Sequence, residues 1–478
     1  METPELSPAP FASQPQPLAG TADGAPLRRG ANLELTIEDL AFGGKALAKV
    51  QGLVVFVENA LPGDRVIATV YRRRRQYAES RAVKILEPSP ARVPAPCSHV
   101  PICGGCRFQD LDYQEQLRHK QRQVEGCLEH LGRIHAAVRP VLPALELFHY
   151  RNKMEYSFGR DEKDAVTLGL HRRGFYDKPF DLERCFIATP ISSEIVDFTR
   201  EFARRENLPP YDLRRHTGLL RFLVVREGIR TGEVMVNLVA SEAHPAFERL
   251  AAGLRERFPR IQSVVLNLTR RKAQIAVGEE ERLLAGKPTI LEELGGLTFE
   301  ISSNSFFQTN TKQAERLLDT ALEALALGGS ERVLDVYSGT GTFTLPLAKR
   351  AAEAVGIESS AIAVRDAERN AARNGIRNAR FWTGEALEVM GARLQGEGAT
   401  FDAVLVDPPR AGLHPGVIQR LLELGAPRLV YVSCNPSTLG RDLGLLCESR
   451  YAVDWIQPVD MFPHTPHIEC VAALRRIA

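Results

Sequence analysis

The chain has no apolar run of the roughly 18 residues that a membrane-crossing helix needs, so a helical membrane protein is not expected. It carries no basic residue before Arg28, and so lacks both the charged start of a secretory signal and the Arg-rich character of a transit peptide. It has almost no net charge. Lys and Arg number 61 against 59 Asp and Glu, so nucleic acid would have to be gripped by local basic patches rather than by a global field. Cysteine is sparse at eight residues. Without an export signal a cytoplasmic location is expected, where clustered thiols mean metal or catalysis more often than disulfides.

What is present is the mix of a globular protein, 44% hydrophobic and 25% charged. A length of 478 residues suggests about three domains. Residues 1–29 are rich in Pro, Ser and Ala and poor in bulky apolar side chains, which predicts a disordered tail. Residues 30–88 hold short β-rich runs (33–37, 52–57, 65–71 and 78–85) broken by Gly43-Gly44 and Pro62-Gly63, the pattern of a small OB-type β-barrel. Arg72 to Arg75 stand there between Tyr71 and Tyr77. Guanidiniums fit phosphates and aromatic rings stack on bases, so this is either an RNA-contacting edge or a solvated hairpin.

Residues 89–300 open with a proline-rich linker. Leu117, Val124, Leu128 and Leu131 then follow helical spacing behind Asp110 and Asp112, which are candidate caps. Strands near 219–225, 233–239 and 263–267 alternate with helices near 190–205 and 245–257, giving an α/β block. In residues 301–478 helices separate buried-looking strands at 332–336, 354–358, 403–406 and 428–432, which implies a doubly wound parallel sheet.

Four constellations fall on strand ends of that last region. Asp335-Val336-Tyr337-Ser338-Gly339-Thr340-Gly341-Thr342-Phe343 is a strand followed by a glycine turn, and Glu358 ends the next strand, where an acid can accept both ribose hydroxyls. The run lacks the third glycine of a dinucleotide fingerprint, so S-adenosylmethionine suits it better than NAD. Asp407-Pro408-Pro409-Arg410-Ala411-Gly412 fixes a rigid turn that aims an acid out of the sheet. Arg410 stands where an amino-methylating enzyme would place an aromatic. Ser433-Cys434-Asn435-Pro436 puts a thiol at a sheet rim, either a nucleophile or one more small buried side chain. Glu469 begins an apolar strand after His464 and His467, where burial would raise its proton affinity and make it a general base. Further forward, Cys97-x5-Cys103-x2-Cys106, with Cys185 as a distant fourth thiol, has metal-ligand spacing that leaves iron–sulfur and zinc both open. Its distance in sequence from every catalytic motif predicts a structural role.

Taken together, and with Asn304-Ser305-Phe306-Phe307-Gln308-Thr309-Asn310 in the same order, these motifs resemble the RNA uracil-C5 methyltransferases from about residue 30 to the end. The front barrel resembles a TRAM domain, and the barrel and thiols together place the chain nearer the RumA-like than the TrmA-like branch. The fold implied is a TRAM barrel, a central α/β domain with a four-cysteine site, and a class I methyltransferase domain. The resemblance implies that Cys434 is the nucleophile and Glu469 the base. Gln308, Tyr337, Gly339, Gly341, Glu358 and Asp407, with Thr342 and Glu385, would line the S-adenosylmethionine site. Cys97, Cys103, Cys106 and Cys185 would hold a [4Fe-4S] cluster. The partner implied is RNA rather than DNA or membrane, with 23S ribosomal RNA foremost and transfer RNA as the rival, and the protein is expected to be a monomer.

Overall fold

Alternating inward apolar and outward polar residues build the first lobe. In the computed structural model, which describes residues 27–175, 177–396 and 398–477, six strands form it. They are β1 (Asn32–Thr36), β2 (Asp39–Leu40), β3 (Ala46–Val50), β4 (Leu53–Glu58), β5 (Arg65–Arg73) and β6 (Tyr77–Glu87). The sheet order is β1-β5-β6-β4-β3-β2, and inward residues of β1, β3, β4, β5 and β6 share one core, so the sheet rolls round itself. Phe108 and Leu111, from beyond the barrel, complete that core. The expected tail lies, up to residue 26, outside the described residues.

Next comes α1 (Tyr113–Cys127), whose N-cap Asp112 accepts from the amides of Gln114 and Glu115. The helix does not run on regularly to Leu131. A π-helical turn over Leu128–Gly132 takes over, and the wider turn rotates Leu131 to an exposed position while Leu128 stays buried. A two-residue strand, β7 (Ala137–Val138), follows.

The central sheet comprises β8 (Lys153–Arg160), β9 (Val166–Gly169), β10 (Leu220–Glu227), β11 (Val234–Ala240), β12 (Ile261–Leu268) and β13 (Glu280–Gly286), in the order β13-β12-β11-β10-β8-β9. Helices α2 (Pro190–Arg205) and α3 (Ala246–Arg257) pack on one face. A hairpin of β14 (Thr289–Leu294) and β15 (Leu297–Ser302) leads into the last region.

That region runs α4 (Thr311–Leu325), β16 (Arg332–Val336), α5 (Thr344–Ala348), β17 (Glu353–Glu358), α6 (Ala361–Arg373), β18 (Ala379–Thr383) and α7 (Ala386–Met390). It continues with β19 (Ala403–Val406), α8 (Pro415–Leu424), β20 (Arg428–Ser433), α9 (Pro436–Cys447), β21 (Tyr451–Val459) and β22 (Glu469–Arg476). The sheet order is β18-β17-β16-β19-β20-β22-β21-β7. The five strands from β18 to β20 are parallel, and β22 enters antiparallel to β20. Two clusters of buried side chains, one on each face, make it doubly wound. Strand β7 pairs with β21, and α1 packs with α9, so residues 113–138 are built into the last sheet although they precede the central one in sequence. Among the described residues no helix is long and apolar enough to cross a membrane.

Candidate active site

The carboxyl ends of the parallel strands converge on one edge. At the end of β16 the chain must turn sharply, and Tyr337 adopts φ +76°, a left-handed conformation that non-glycine residues enter only at a cost. The amides of Tyr337 and Ser338 both donate to the Ile357 carbonyl at 2.9 Å. Gly339 donates its amide to the Glu358 carboxylate at 3.0 Å, whose other oxygen accepts from Ser360 N at 2.7 Å. A side chain at Gly339 would meet nothing within 4 Å, so this loop borders open space. Gly341 has φ +86° and sits against Leu345. Beneath the loop Asp335 is buried, accepts from Thr344 Oγ1 at 2.5 Å and leaves Oδ1 unpaired, as does the buried Ser338 Oγ. Burial, with Glu358 nearby, pushes Asp335 up to about 7. Thr342 is half-buried on the same loop, its hydroxyl 3.5 Å from that of Thr340. Glu385 is exposed at the head of α7 and faces Tyr337, adding to the burial that holds the phenol up at about 12.

The Gln308 loop enters from the other side. Asn152 of the central lobe donates to the Gln308 carbonyl and to Thr311 Oγ1, both at 2.9 Å, while Asn310 Nδ2 donates to the Met461 carbonyl at 3.0 Å. The loop is thereby tied both to the central lobe and to the segment that leads into Glu469.

Cys434 and Glu469 meet because their strands are neighbours. The β20–β22 ladder sets Ser433 opposite Cys470, and the next residue outward on each strand is Cys434 and Glu469. Asp407 follows β19 on the same edge, its amide donating to the Val336 carbonyl at 3.2 Å. Asn435 caps α9 and also donates to the Arg410 carbonyl at 3.0 Å, and Asp442 receives Leu413 N at 2.8 Å and Tyr431 Oη at 2.7 Å. The loop after Asp407 is therefore laced to the helix that starts just after Cys434. Burial pushes Cys434 up to about 11, with Glu469 and Asp407 adding to the rise and Arg410 opposing it. Burial lifts Glu469 well above the carboxylate range, Asp407 adding and Arg410 again opposing. Burial, with Asp335 beside it, brings Asp407 to about 7.

The structure brings together Cys434, Glu469 and Asp407, and sets Tyr337, Gly339, Gly341, Thr342, Glu358 and Glu385 on adjoining strand ends. Two residues carry more than the sequence suggested. Arg410, noted there only for not being aromatic, is the cation that faces both Cys434 and Glu469. Asp335 was quoted within its motif without a task. A carboxylate next to the end of a buried strand, flanked by Leu334 and Val336, was the available signal for it.

The four distant thiols also converge. Cys97, Cys103, Cys106 and Cys185 line one cavity with Gly105, Gln109 and Leu182. Gly105 N lies 3.3 Å from Cys103 Sγ, and Gln109 Nε2 lies 3.4 Å from Cys106 Sγ. Burial pushes the Cys106 thiol up to about 12 and Cys185 to about 11, each further raised by neighbouring thiols. Among the described residues no three or more His, Cys, Asp or Glu side chains already stand in a coordination shell. The donor set nevertheless suits a soft metal or cluster, because four thiols that cost free energy to ionise alone are relieved by a shared cation. Sequence distance misled in one respect: the amides of Arg107 and Phe108, next to Cys106, donate to the His464 carbonyl at 2.8 and 3.0 Å, so this lobe touches the loop that leads into Glu469. Cys127, Cys447 and Cys470 are free thiols outside the cavity.

On the barrel, Tyr71 Oη donates to Glu58 at 3.0 Å, Arg81 pairs with the same carboxylate at 2.9 Å and Arg72 lies 3.5 Å from Glu79. Arg74 and Arg75 are exposed at the turn.

The sequence profile of the tRNA (uracil-5-)-methyltransferase family matches residues 112–477, and that of the TRAM domain matches residues 26–83. A protein of Halalkalibacterium halodurans described as an uncharacterized RNA methyltransferase is 39% identical over 94% of this chain and 98% of its own length. One from Chlorobaculum tepidum, described in the same words, is 40% identical over 94% and 97%. The solved structure of Pyrococcus abyssi tRNA (uracil-54, C5)-methyltransferase with S-adenosyl-L-homocysteine superposes with a TM-score of 0.74 at 32% identity, covering 92% of this chain and all of that one.

Proposed function

Because the chain belongs to the tRNA (uracil-5-)-methyltransferase family and is an S-adenosylmethionine-dependent RNA methyltransferase, we propose that it methylates C5 of a uridine through a temporary bond between Cys434 and the base. The observation that carries this reading is the meeting of a thiol, a strongly basic buried carboxyl and a single cation, Cys434, Glu469 and Arg410, at one sheet edge.

Uracil C5 is too weak a carbon nucleophile to take an alkyl group unaided. Cys434 Sγ adds to C6, forming the S–C6 bond and moving the C5–C6 electron pair towards C5 and O4. S-adenosylmethionine, when bound, supplies an electrophilic methyl group. Gln308, Tyr337, Gly339, Gly341, Glu358 and Asp407 would hold it, with Thr342 and Glu385 at the margin. The open space beside Gly339 and the unpaired Asp335 Oδ1 and Ser338 Oγ fit a polar ligand there. Once C5 is alkylated, Glu469 takes the C5 proton. The freed pair rebuilds the C5–C6 double bond, and the S–C6 bond breaks with its electrons returning to Cys434. Burial of Glu469 suits it to this step, since a carboxylate held in an apolar setting is a stronger base.

The target base has to leave its stack, at a cost of a few kcal/mol unless it lies in a single-stranded loop. We read that target as a uridine of 23S ribosomal RNA. A second reading, the uridine at position 54 of transfer RNA, is favoured by the Pyrococcus abyssi relative. We assign Cys97, Cys103, Cys106 and Cys185 to a [4Fe-4S] cluster, supported by their convergence in one cavity. Iron and acid-labile sulfide near four each per chain are expected from anaerobic protein by stoichiometry. Zinc in their place overturns that assignment.

Incubation with 5-fluorouridine RNA and S-adenosylmethionine tests the chemistry, because a C5 fluorine cannot leave as a proton does. Wild-type protein should form a covalent RNA adduct that survives denaturing electrophoresis, and Cys434→Ala should form none. Absence of the wild-type adduct refutes the scheme. Mapping 5-methyluridine in both RNAs from cells with and without the protein decides the target.

A further inference from the structure

We infer that Gln116 and the buried pair Lys120–Asp460 are positioning residues for Glu469, holding the loop between β21 and β22 so that the carboxylate reaches the base. The inference rests on the reading of Glu469 as the C5 base. The loop, Asp460 to Ile468, has no helix or strand of its own, so its shape has to be imposed by its neighbours.

Two clamps on α1 impose it. Asp460 is fully buried, and its Oδ1 accepts from Lys120 Nζ at 2.6 Å and from Phe462 N at 3.3 Å. Its Oδ2 accepts from Tyr113 Oη at 2.9 Å, and that hydroxyl in turn accepts from Ala144 N at 2.7 Å. Lys120, also buried, donates a second proton to the Phe462 carbonyl at 3.1 Å. Replacing such an ion pair by well-packed apolar residues is often neutral or stabilising, so its net stability is a weak reason for having one. What the pair imposes here is one geometry on three loop atoms.

One turn earlier on the helix, Gln116 Oε1 accepts from His464 N at 2.9 Å, and its Nε2 lies 3.2 Å from His464 Nδ1. The same amide nitrogen reaches the carbonyls of Phe108 at 2.9 Å and Leu111 at 2.8 Å. His464 has φ +65°, a conformation an L residue keeps only when its surroundings enforce it. The enforcement is visible: Gln116 on its amide, Arg107 and Phe108 on its carbonyl, and the Phe148 ring stacked on its imidazole at 4.5 Å. Tyr150 Oη pins the preceding Pro463 carbonyl at 3.0 Å. Glu469 follows His464 by five residues: the ladder sets its backbone opposite Val459, and this braced stretch fixes the chain that enters the strand there.

The test separates the two halves of the reaction. Fluorouridine adduct formation reports addition by Cys434 and methyl transfer. Tritium release from 5-tritiated uridine RNA reports proton removal by Glu469. Gln116→Ala and the paired Lys120→Met/Asp460→Leu variant should form the fluorouridine adduct within about twofold of the wild-type rate yet release tritium at least about tenfold more slowly. Each should also accumulate covalent RNA adduct with ordinary uridine, as Glu469→Gln should. The two variants remove different clamps, so one that fails to fold leaves the other to decide. If adduct formation and tritium release fall together, or neither changes, the positioning role is wrong. A wild-type enzyme without any fluorouridine adduct would overturn the covalent reading and this one with it, whereas parallel losses overturn this one alone.

Discussion

A thiol flanked by two carboxyl groups ionises against the charge of each. Burial, Glu469 and Asp407 all resist the Cys434 thiolate, and the Arg410 guanidinium opposes them. The same guanidinium draws Glu469 downward. In the proposed mechanism both groups must lose a proton to act, so kcat/KM should climb with pH through the neutral range. Removing Arg410 raises both proton affinities and moves that rise to higher pH. Arg410→Ala should therefore be about three- to tenfold slower near pH 7.5 and should recover towards alkaline pH, measured as a pH–rate profile. Because Arg410 is exposed, salt should shrink the difference. The loop itself should survive, since Asn435 holds the Arg410 carbonyl rather than its side chain. Sequence singled out Cys434, Glu469 and Asp407 because each stands at the end of an apolar strand, and the family resemblance supplied the roles proposed for them. It could not show Arg410's task, because that depends on which strand end faces which.

Helix α9 begins two residues after Cys434, so what seats that helix also seats the proposed nucleophile. Its seat is a bare backbone contact: a side chain at Gly440 would come within 2.6 Å of the Cys127 carbonyl, and one at Gly132 within 2.4 Å of the Gly440 carbonyl. Backbone cannot yield as a flexible side chain can. Gly440→Ala should lower stability by roughly 1–3 kcal/mol in urea titrations and slow fluorouridine adduct formation, as forced overpacking does. In the barrel the matching weak point is Asp64, fully buried and bonded to Arg92 at 2.6 Å. Burial alone would raise its proton affinity, but the bonds from Arg92, Ser89 N and Leu61 N outweigh it and hold the carboxyl below its usual range. A depressed carboxylate gives stability that is present above the unfolded pKa near 4 and is lost as pH falls through the folded value. Asp64→Asn should cost about 1.5–3 kcal/mol at neutral pH and flatten the acid limb of barrel unfolding. Elements this local were partly readable. Strand 403–406 coincides with an uninterrupted apolar run buried on both faces, and 332–336 with a buried run that only Arg332 and Asp335 interrupt. Strand β13 was not, because EERLLAG is largely exposed, and β21 was hidden by its polar residues and Pro458.

Across the whole molecule the chain order and the spatial order part company. Helix α1 and β7 precede the central sheet in sequence yet belong to the C-terminal sheet, and the thiol-rich segment lies against the Glu469 loop. Periodicity could not reveal this, since a two-residue strand and a pair of loop amides leave no local pattern. It is settled only by long-range pairing. The barrel shares its core with Phe108 and Leu111, bonds to α1 through Asp39 and the Leu40 and Ala41 carbonyls, and brings Gly44 against Pro466. With a net charge of only +2, the molecule has no global attraction for RNA, so exposed cations on the barrel should contribute in proportion to their number. Arg72 and Arg81 are engaged by Glu79 and Glu58 and the exposed Arg73 reaches the Tyr77 carbonyl at 3.4 Å, so Arg74 and Arg75, exposed at the turn, are the pair to test. Replacing both by Glu should weaken RNA binding in a way that fades at high salt, and should flatten the slope of log K against log salt by about one for each phosphate left without its arginine. S-adenosylmethionine binding, measured by calorimetry without RNA, should stay unchanged, because neither arginine is among the residues at that crevice. An unchanged salt slope would mean that these arginines form only a solvated hairpin, and that the grip on RNA comes from the central lobe.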